Sequence, residues 1–213
     1  MQGIVYASEG GVYRVRLPSG EMVDASLRGR LKREARTGGK VVIGDRVGVV
    51  TKSDGTSTIE DVAPRETQVV RRGPGGRRAK VIAANVDRLV VVAAAARPEP
   101  RQVLLDRLMV VGESNDLEPA LVINKLDLDG DQASALTRLY RSIGYEVLGT
   151  SAVTGEGLKA LEGLLSRGTS ALVGPSGVGK STLLNAIQPD LGLRTGELSH
   201  KEGRGRHTTC LLY

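Results

Sequence analysis

The hydrophobic pattern of the chain changes its period near residue 85. Before that point, short apolar stretches alternate with polar positions, and clusters rich in glycine, proline and serine separate them. Alternation with a period of two is typical of strands that bury one face. It predicts five strands, at residues 4 to 7, 12 to 17, 21 to 27, 41 to 50 and 56 to 62. So many short strands match a small closed barrel of the OB type, although an SH3-like barrel would leave much the same pattern.

The segment from residue 12 to 17 shows the alternation most clearly. Tyr13, Val15 and Leu17 fall on one face of the predicted strand, whereas Arg14 and Arg16 fall on the other. We therefore expect a half-buried strand with a basic outer face.

After residue 85 the apolar residues either form continuous runs or recur with helical spacing. The runs predict buried parallel strands at residues 89 to 95, 120 to 123, 146 to 149 and 171 to 173. The helical spacing predicts helices at residues 101 to 111, 131 to 143, 157 to 165 and 179 to 187. Strands that alternate with helices indicate a parallel α/β sheet, whose ligands bind at the carboxyl ends of the strands.

Positive charge is concentrated in the first part of the chain. Residues 1 to 80 hold 16 Lys and Arg against 9 Asp and Glu, whereas residues 81 to 213 hold 14 against 15. A basic part joined to a near-neutral part suggests that the first binds a polyanion, and a merely solvated basic surface is the alternative. Because the chain has no Phe, no Trp and five Tyr, we expect phosphate contacts from Arg and Lys to dominate any nucleic-acid binding.

The basic segment from residue 71 to 80 contains Gly73-Pro74-Gly75-Gly76 and five positive charges. It predicts either a linker that reaches a phosphate backbone or a simple solvated connection. We therefore divide the chain into a barrel (residues 1 to 70), a basic Gly-rich linker (71 to 84) and an α/β domain (85 to 213).

Cysteine usage and the lack of long apolar segments indicate a cytoplasmic location. The single cysteine, Cys210, excludes an internal disulfide and a cysteine-cluster metal site. The start of the chain lacks the pattern of a signal peptide, and no apolar run approaches the ~20 residues that a membrane helix needs. We expect no membrane partner.

A phosphate-loop motif follows the strand predicted at residues 171 to 173 and opens the next helix. Its backbone N–H groups and the helix N-terminus would hold phosphates. Lys180 would pair with the β- and γ-phosphates, Ser181 would ligate Mg²⁺ and Thr182 would contact the α-phosphate. The loop alone also suits guanylate kinases and transporter ATPases. Its residues are Gly174, Pro175, Ser176, Gly177, Val178, Gly179, Lys180 and Ser181.

The tetrad Asn124-Lys125-Leu126-Asp127 follows the strand predicted at residues 120 to 123. The Asp127 carboxylate can accept hydrogen bonds from guanine N1–H and its exocyclic amine, whereas adenine presents an acceptor at N1. Asn124 would tie the motif to neighbouring loops, and the Lys125 stem would cover the base. Taken alone, the tetrad could equally be a strand-to-helix turn in which Asp127 is a local cap.

Two further observations favour guanine. Thr150, Ser151 and Ala152 follow the next predicted strand, where the Ala152 N–H could reach guanine O6. The tetrad also precedes the phosphate loop, which reverses the order of an ordinary GTP-binding chain. Both motifs in this order predict a circularly permuted P-loop GTPase domain.

These motifs, the basic barrel, Asn-Val-Asp at residues 85 to 87 and Gly-Arg-His-Thr-Thr at residues 205 to 209 together resemble the RsgA (YjeQ/EngC) GTPases. The resemblance implies a monomeric protein that binds GTP or GDP with Mg²⁺, binds rRNA, and assists late maturation of the 30S ribosomal subunit. It implies catalytic roles for Lys180, for His207, which would organise the attacking water, and for Thr209. Thr209 would join Ser181 as a Mg²⁺ ligand, with Thr208 as the alternative. As a further alternative, His207 is simply solvated.

The resemblance also implies an Asp-x-Pro-Gly motif and Cys and His zinc ligands, none of which this sequence contains. We therefore expect a C-terminally incomplete GTPase domain without zinc ligands, in which the strand at residues 171 to 173 lies at an exposed edge of the sheet. An RNA-binding or GTP-binding protein that does not hydrolyse GTP is the alternative function. A nucleotide kinase is a third, which the guanine-reading tetrad disfavours.

Overall fold

The computed structural model describes residues 1 to 37, 40 to 71, 80 to 189 and 210 to 212. The chain divides into two compact units, Met1–Val86 and Asp87–Tyr213.

The first unit is built on a closed five-stranded barrel. Its strands follow the order β1-β2-β3-β5-β4, and β1 pairs with β4 to close it. The parallel pair β3 and β5, with a helix between β3 and β4, is the arrangement of an OB fold and excludes the SH3-like alternative. The elements are β1 (Gln2–Glu9), β2 (Val12–Arg16), β3 (Met22–Leu27), α1 (Gly29–Thr37), β4 (Arg46–Thr51), β5 (Ser57–Val62), β6 (Gln68–Arg71) and β7 (Lys80–Ala84).

The barrel interior follows the alternation expected from the sequence. In β2 the exposed and buried residues alternate, with Tyr13 and Val15 inside and Arg14 and Arg16 outside. The inward side chains form one apolar cluster, in which Val5, Val15 and Ile59 are fully buried. The predicted barrel is therefore confirmed.

Helix α1 was not predicted, because it shows no apolar period. Its sequence is strongly basic, and Leu31 is its one large apolar side chain. That side chain is buried in the barrel core and joins the same apolar cluster. A single well-placed apolar residue thus anchors a helix whose remaining described side chains face solvent.

Two other segments of the first unit differ from the predictions. Strand β4 begins at Arg46 rather than at residue 41, because a turn around Gly44 (φ 90°) precedes it. Residues 80 to 84, assigned to the linker, form β7 and pair with β6. Ala83 and Ala84 are fully buried, so this apolar end of the basic segment belongs to the folded unit. The rest of the predicted linker, residues 72 to 79, lies outside the described residues.

The second unit is an α/β sheet with the strand order β10-β9-β8-β11-β12. The first four strands are mutually parallel, as the continuous apolar runs predicted, and every residue of β8 is buried. Helix and strand boundaries agree with the predictions to within about two residues. The elements are β8 (Arg88–Ala94), α2 (Gln102–Glu113), β9 (Glu118–Asn124), α3 (Gly130–Ser142), β10 (Glu146–Gly149), α4 (Leu158–Leu165), β11 (Ser170–Val173), α5 (Lys180–Ile187) and β12 (Cys210–Leu212).

The edge of the sheet beside the phosphate-loop strand is covered. We expected β11 to be exposed there, and this expectation was wrong, because β12 pairs with it antiparallel through Ser170↔Leu212, Ala171↔Leu211 and Leu172↔Cys210. The short apolar run at residues 210 to 212 satisfies backbone groups of β11 that an edge strand would leave to water. Among the described residues, no helix has the length and apolar character that crossing a bilayer requires.

A buried ion pair holds the turn before β4 in the first unit. The Asp45 side chain is fully buried and accepts hydrogen bonds from Arg65 Nε (2.7 Å), Arg65 Nη2 (2.9 Å) and the Val42 N–H (2.8 Å). Removing one partner of such a pair leaves the other without compensation inside the protein.

We expect Asp45→Ala to lower the free energy of unfolding of the first unit by about 3 kcal/mol, because Arg65 and the Val42 N–H lose their acceptor. Asp24→Ala, which breaks the exposed Arg14–Asp24 pair, should cost less than about 1 kcal/mol. Native-state hydrogen exchange of amides in β1 to β5 measures this unit on its own. Equal losses in the two variants would contradict a stabilising role for the buried pair.

Candidate nucleotide-binding site

Three loops that carry the predicted motifs leave the sheet at the carboxyl ends of its parallel strands β9, β10 and β11. The tetrad begins at Asn124, the last residue of β9, and residues 150 to 157 follow β10. The phosphate loop joins β11 to α5. In a parallel sheet these ends lie at one edge, which is where ligands of α/β proteins bind.

The phosphate loop packs against the sheet, and the Lys180 ammonium group lies over it. Gly174 packs so tightly on β8 that a Cβ there would lie 2.2 Å from the Val92 carbonyl oxygen, and Val178 is buried in the core. Lys180 is only 5% exposed, and its Nζ donates to the carbonyl oxygens of Gly174 (3.0 Å) and Pro175 (2.9 Å). The ammonium group therefore lies over the loop, where it can exchange these acceptors for phosphate oxygens.

The buried amide of Asn124 joins the tetrad to the other two loops. Its Nδ2 donates to the Val178 carbonyl oxygen of the phosphate loop at 2.9 Å, and its Oδ1 accepts from Thr150 Oγ1 at 3.3 Å. Asn124 is 2% exposed and Thr150 is fully buried. Both bonds are therefore shielded from water. Losing either one would leave a buried polar group without a partner, which is costly.

Lys125 makes a second connection from the tetrad to the phosphate loop. Its Nζ donates to the carbonyl oxygens of Gly177, at 2.8 Å, and of Arg97. The residue adopts a left-handed backbone conformation (φ 64°). Burial lowers the pKa of the Lys125 ammonium, and the nearby Asp127 carboxylate partly opposes this shift.

Asp127 is exposed, and a buried side chain orients it. Ser151 Oγ donates to Asp127 Oδ1 at 2.6 Å and accepts from the Thr154 N–H at 3.1 Å. Ser151 itself is fully buried. The serine thus orients the carboxylate through a hydrogen bond. Its position in the sequence motif did not reveal this role.

The remaining predicted residues fall into two groups. Leu126 and Ala152 are half-buried, and Leu126 packs against Gly149, where a Cβ would lie 2.9 Å from its side chain. Ser176 and Thr182 are exposed, and Ser181 is half-buried in the first turn of α5. His207, Thr208 and Thr209 lie outside the described residues.

Three residues have roles in this site that were not predicted from sequence. Thr150 and Arg97 supply the hydrogen bonds described above. Gly157 has a φ of 71°, and a Cβ there would lie 2.0 Å from the Gly149 carbonyl oxygen, so the loop that holds Ser151 requires glycine. The position of Thr150, directly after β10 and before Ser151, is a signal that could have indicated its role.

The arrangement fits a guanine nucleotide. The exposed Asp127 carboxylate matches the donor edge of guanine, and the phosphate loop carries a lysine and a helix N-terminus for phosphates. Ser181 is the described side chain that could contribute a Mg²⁺ ligand beside them. In the described part of the chain, no three His, Cys, Asp or Glu side chains form a separate metal-binding group.

Comparison with known proteins decides the family. Residues 62–211 match the family model described as RsgA GTPase. The chain belongs to the RsgA GTPase family. The sequence-based assignment to this family is confirmed, and so is its fold class of an OB barrel and a circularly permuted GTPase domain.

Relatives and solved structures agree with this membership. The chain is 46% identical to the small ribosomal subunit biogenesis GTPase RsgA of Gemmatimonas aurantiaca, over 97% of this chain and 69% of that protein. For the Moorella thermoacetica protein of the same name the identity is 43%, over 98% and 68%. The chain thus spans about two thirds of the length of these RsgA proteins.

Two solved structures of the family are similar to this one. YjeQ from Thermotoga maritima is 35% identical, with a TM-score of 0.73, over 92% of this chain and 67% of that one. YloQ, described as a circularly permuted GTPase, is 30% identical, with a TM-score of 0.63, over 89% and 64%.

We expect Gly179→Ala to weaken guanine-nucleotide binding at least about 10-fold, the loss that 1.4 kcal/mol produces. The new Cβ would lie 2.4 Å from Asn124 Nδ2, on a backbone with φ 95°, so the variant must shift the bond between Asn124 and the phosphate loop. Titration with a fluorescent GDP analogue measures the affinity.

Gly163→Ala is the matched control. Gly163 lies in α4 with no atom within 4 Å of its added Cβ, and alanine should stabilise that helix by about 0.5–1 kcal/mol. Its GDP affinity should equal that of the unmodified chain. Unchanged affinity in Gly179→Ala would contradict the contact between the tetrad and the phosphate loop.

Proposed function

We propose that this chain binds GTP and GDP with Mg²⁺, hydrolyses GTP, and acts on the small ribosomal subunit during its late maturation. The observation that carries the proposal is the pair of hydrogen bonds from the guanine-reading tetrad to the phosphate loop, from Asn124 to Val178 and from Lys125 to Gly177. They support a single site in which the tetrad that carries Asp127 and the phosphate loop act together. Family membership supports the same activity.

Guanine recognition rests on Asp127 and its support. Ser151 holds one carboxylate oxygen at 2.6 Å, so the carboxylate is oriented before the base arrives and little ordering is needed on binding. Guanine N1–H and its exocyclic amine donate to the carboxylate, whereas the N1 acceptor of adenine leaves it without a donor. The Lys125 stem covers the base, and the Ala152 N–H donates to guanine O6.

Phosphate binding and hydrolysis rest on charge and positioning. Lys180 contacts the β- and γ-phosphates, and the N-H groups of the phosphate loop contact their oxygens. Ser181 and Thr209, with Thr208 as the alternative, would hold Mg²⁺, which would neutralise negative charge on the phosphates. His207 orients the water that attacks the γ-phosphorus, and the bond to the GDP oxygen breaks as phosphate leaves.

The partner is the small ribosomal subunit, and the contact is to its rRNA. The name of the relatives refers to biogenesis of this subunit, and the excess positive charge lies in residues 1 to 80, mainly in the basic segment from residue 71 to 80. Basic side chains bind RNA phosphates by releasing counterions, so the interaction should weaken steeply with salt. We propose that the protein acts as a monomer in the cytoplasm.

We expect Asp127→Asn to lower GTP affinity by about 10- to 100-fold and to raise the affinity for xanthosine triphosphate. The NH₂ group of the new asparagine would face the exocyclic amine of guanine, so two donors would meet. Xanthine carries a carbonyl oxygen at C2 instead, which accepts from that NH₂ group. Competition of the two triphosphates against a fluorescent GDP analogue measures the preference.

Asp129→Asn is the control for this substitution. Asp129 lies two residues further on and caps α3 by accepting from the Gln132 N–H at 2.9 Å, and asparagine is an equally good cap. The base preference should not change. If Asp127→Asn kept the preference for GTP, the assignment of Asp127 to the base would be wrong.

Hydrolysis requires its own measurement. We expect Lys180→Ala to lower GTP turnover at least about 100-fold, as loss of a transition-state donor does, whereas Lys159→Ala on the exposed face of α4 should not lower it. Phosphate release is measured with and without small ribosomal subunits, and the subunits should accelerate it. A folded, GTP-binding chain that released no phosphate in either condition would favour the alternative of a non-hydrolysing RNA-binding protein.

A further inference from the structure

The outer face of the barrel carries one aromatic ring with a cation over it. The guanidinium carbon of Arg16 lies 5.7 Å from the centroid of the Tyr6 ring, and Arg16 Nη1 donates to the Tyr6 hydroxyl at 3.0 Å. Tyr6 is half-buried and Arg16 is exposed. The pair, named here the Tyr6–Arg16 platform, is a planar cation beside an aromatic face at the protein surface.

The pairing of β1 with β2 explains this contact. The register steps from Val5↔Val15 to Ala7↔Arg14, so Tyr6 lies at a β-bulge. A bulge bends the strand and redirects side chains. On the strands beside Arg16, its register partners are Ile4 and Met22, and Met22 is 43% exposed. The platform therefore has apolar neighbours on both sides.

The charge of Arg16 is available, unlike that of the arginine beside it. Arg14 lies on the same face of β2, and its Nε contacts Asp24 Oδ1 at 3.1 Å. Within the described part of the chain, the partner of Arg16 is Tyr6 and no carboxylate pairs with it. The outer face of β2 thus holds one arginine whose charge is balanced by a carboxylate and one arginine whose charge no described carboxylate balances.

We propose that the Tyr6–Arg16 platform stacks one unpaired base of single-stranded RNA, with the Arg16 guanidinium also contacting the adjacent phosphate. This inference rests on the proposed function, in which the barrel binds rRNA, and specifies how. Bases stack on aromatic rings and on guanidinium planes, and the face formed by β2 and β3 is the one with which OB folds bind oligonucleotides. Because the chain has few aromatic residues, we expected phosphate contacts to dominate RNA binding. Stacking of one base nevertheless needs only one aromatic ring, and Tyr6 supplies it.

The test compares two RNA probes that differ only in their bases. One is a single-stranded oligoadenylate of about ten nucleotides, within the site size of an OB fold. The other is the abasic ribose-phosphate oligomer of the same length, which keeps the phosphates. The full chain should bind the first more tightly by about 5- to 100-fold, the contribution of one stacked base, and the ratio of the two affinities is the readout.

Four substitutions separate stacking from charge and from folding. Tyr6→Ala should bring the ratio of the two affinities close to one. Tyr6→Phe keeps the aromatic ring and should therefore retain most of the preference for the oligoadenylate. Arg16→Lys keeps the charge but loses the plane, so it should lower the ratio while affinity for the abasic oligomer changes little. Arg14→Ala, the matched control on the same face, should leave the ratio unchanged. The urea midpoint and GDP affinity of each variant report whether it is folded.

The outcomes distinguish this inference from the proposed function. If the chain binds both probes equally, with salt-sensitive affinity, stacking is excluded and RNA binding by the barrel stands. A ratio that survives Tyr6→Ala in a folded variant also overturns the platform. If the chain binds neither probe but still binds GDP, the inference and the RNA-binding part of the proposed function both fail, while the nucleotide site stands.

Discussion

The nucleotide site depends on the buried amide group of Asn124. This side chain is shielded from water, donates to the phosphate loop and accepts from Thr150. It therefore connects the three loops that carry the predicted motifs. The contact also determines which residue can stand opposite it. Gly179 lies so close to the amide that any side chain would displace it, and the third glycine of the phosphate loop is therefore explained by the tetrad as well as by phosphates. The predicted base-reading tetrad and the phosphate loop are in this way joined by one buried side chain.

The order of the motifs along the chain does not affect this geometry, because the sheet brings them together. Asn124 and Val178 are 54 positions apart in sequence, yet β9 and β11 lie on either side of β8. A fully buried central strand keeps both neighbours in register. Permutation changes which loop is connected to which, but the carboxyl ends of the same strands still meet at the same edge.

The barrel illustrates how charge alone can mislead. The half-buried Arg65 forms an ion pair with the buried Asp45. Arg14 forms an ion pair with Asp24, and Arg28 forms one with Glu60. Net charge therefore overstates what an RNA backbone would meet, because paired arginines contribute less to the outer field. The arginines differ in their surroundings rather than in sequence, and Arg16 is distinguished by the ring beneath it.

By itself, the sequence determined the periods, the motifs and their order, and these were enough for the barrel, the parallel sheet and the residues that gather at its edge. Tertiary structure decided whatever lacks a local signal. Helix α1 depends on Leu31 entering a core made by other strands, β7 depends on pairing with β6, and β12 is three residues that become a strand only beside β11. Likewise, Ser151 supports Asp127 across 24 positions. In each case the stabilising partner lies outside the segment itself, so no periodicity or spacing within the segment could have revealed it.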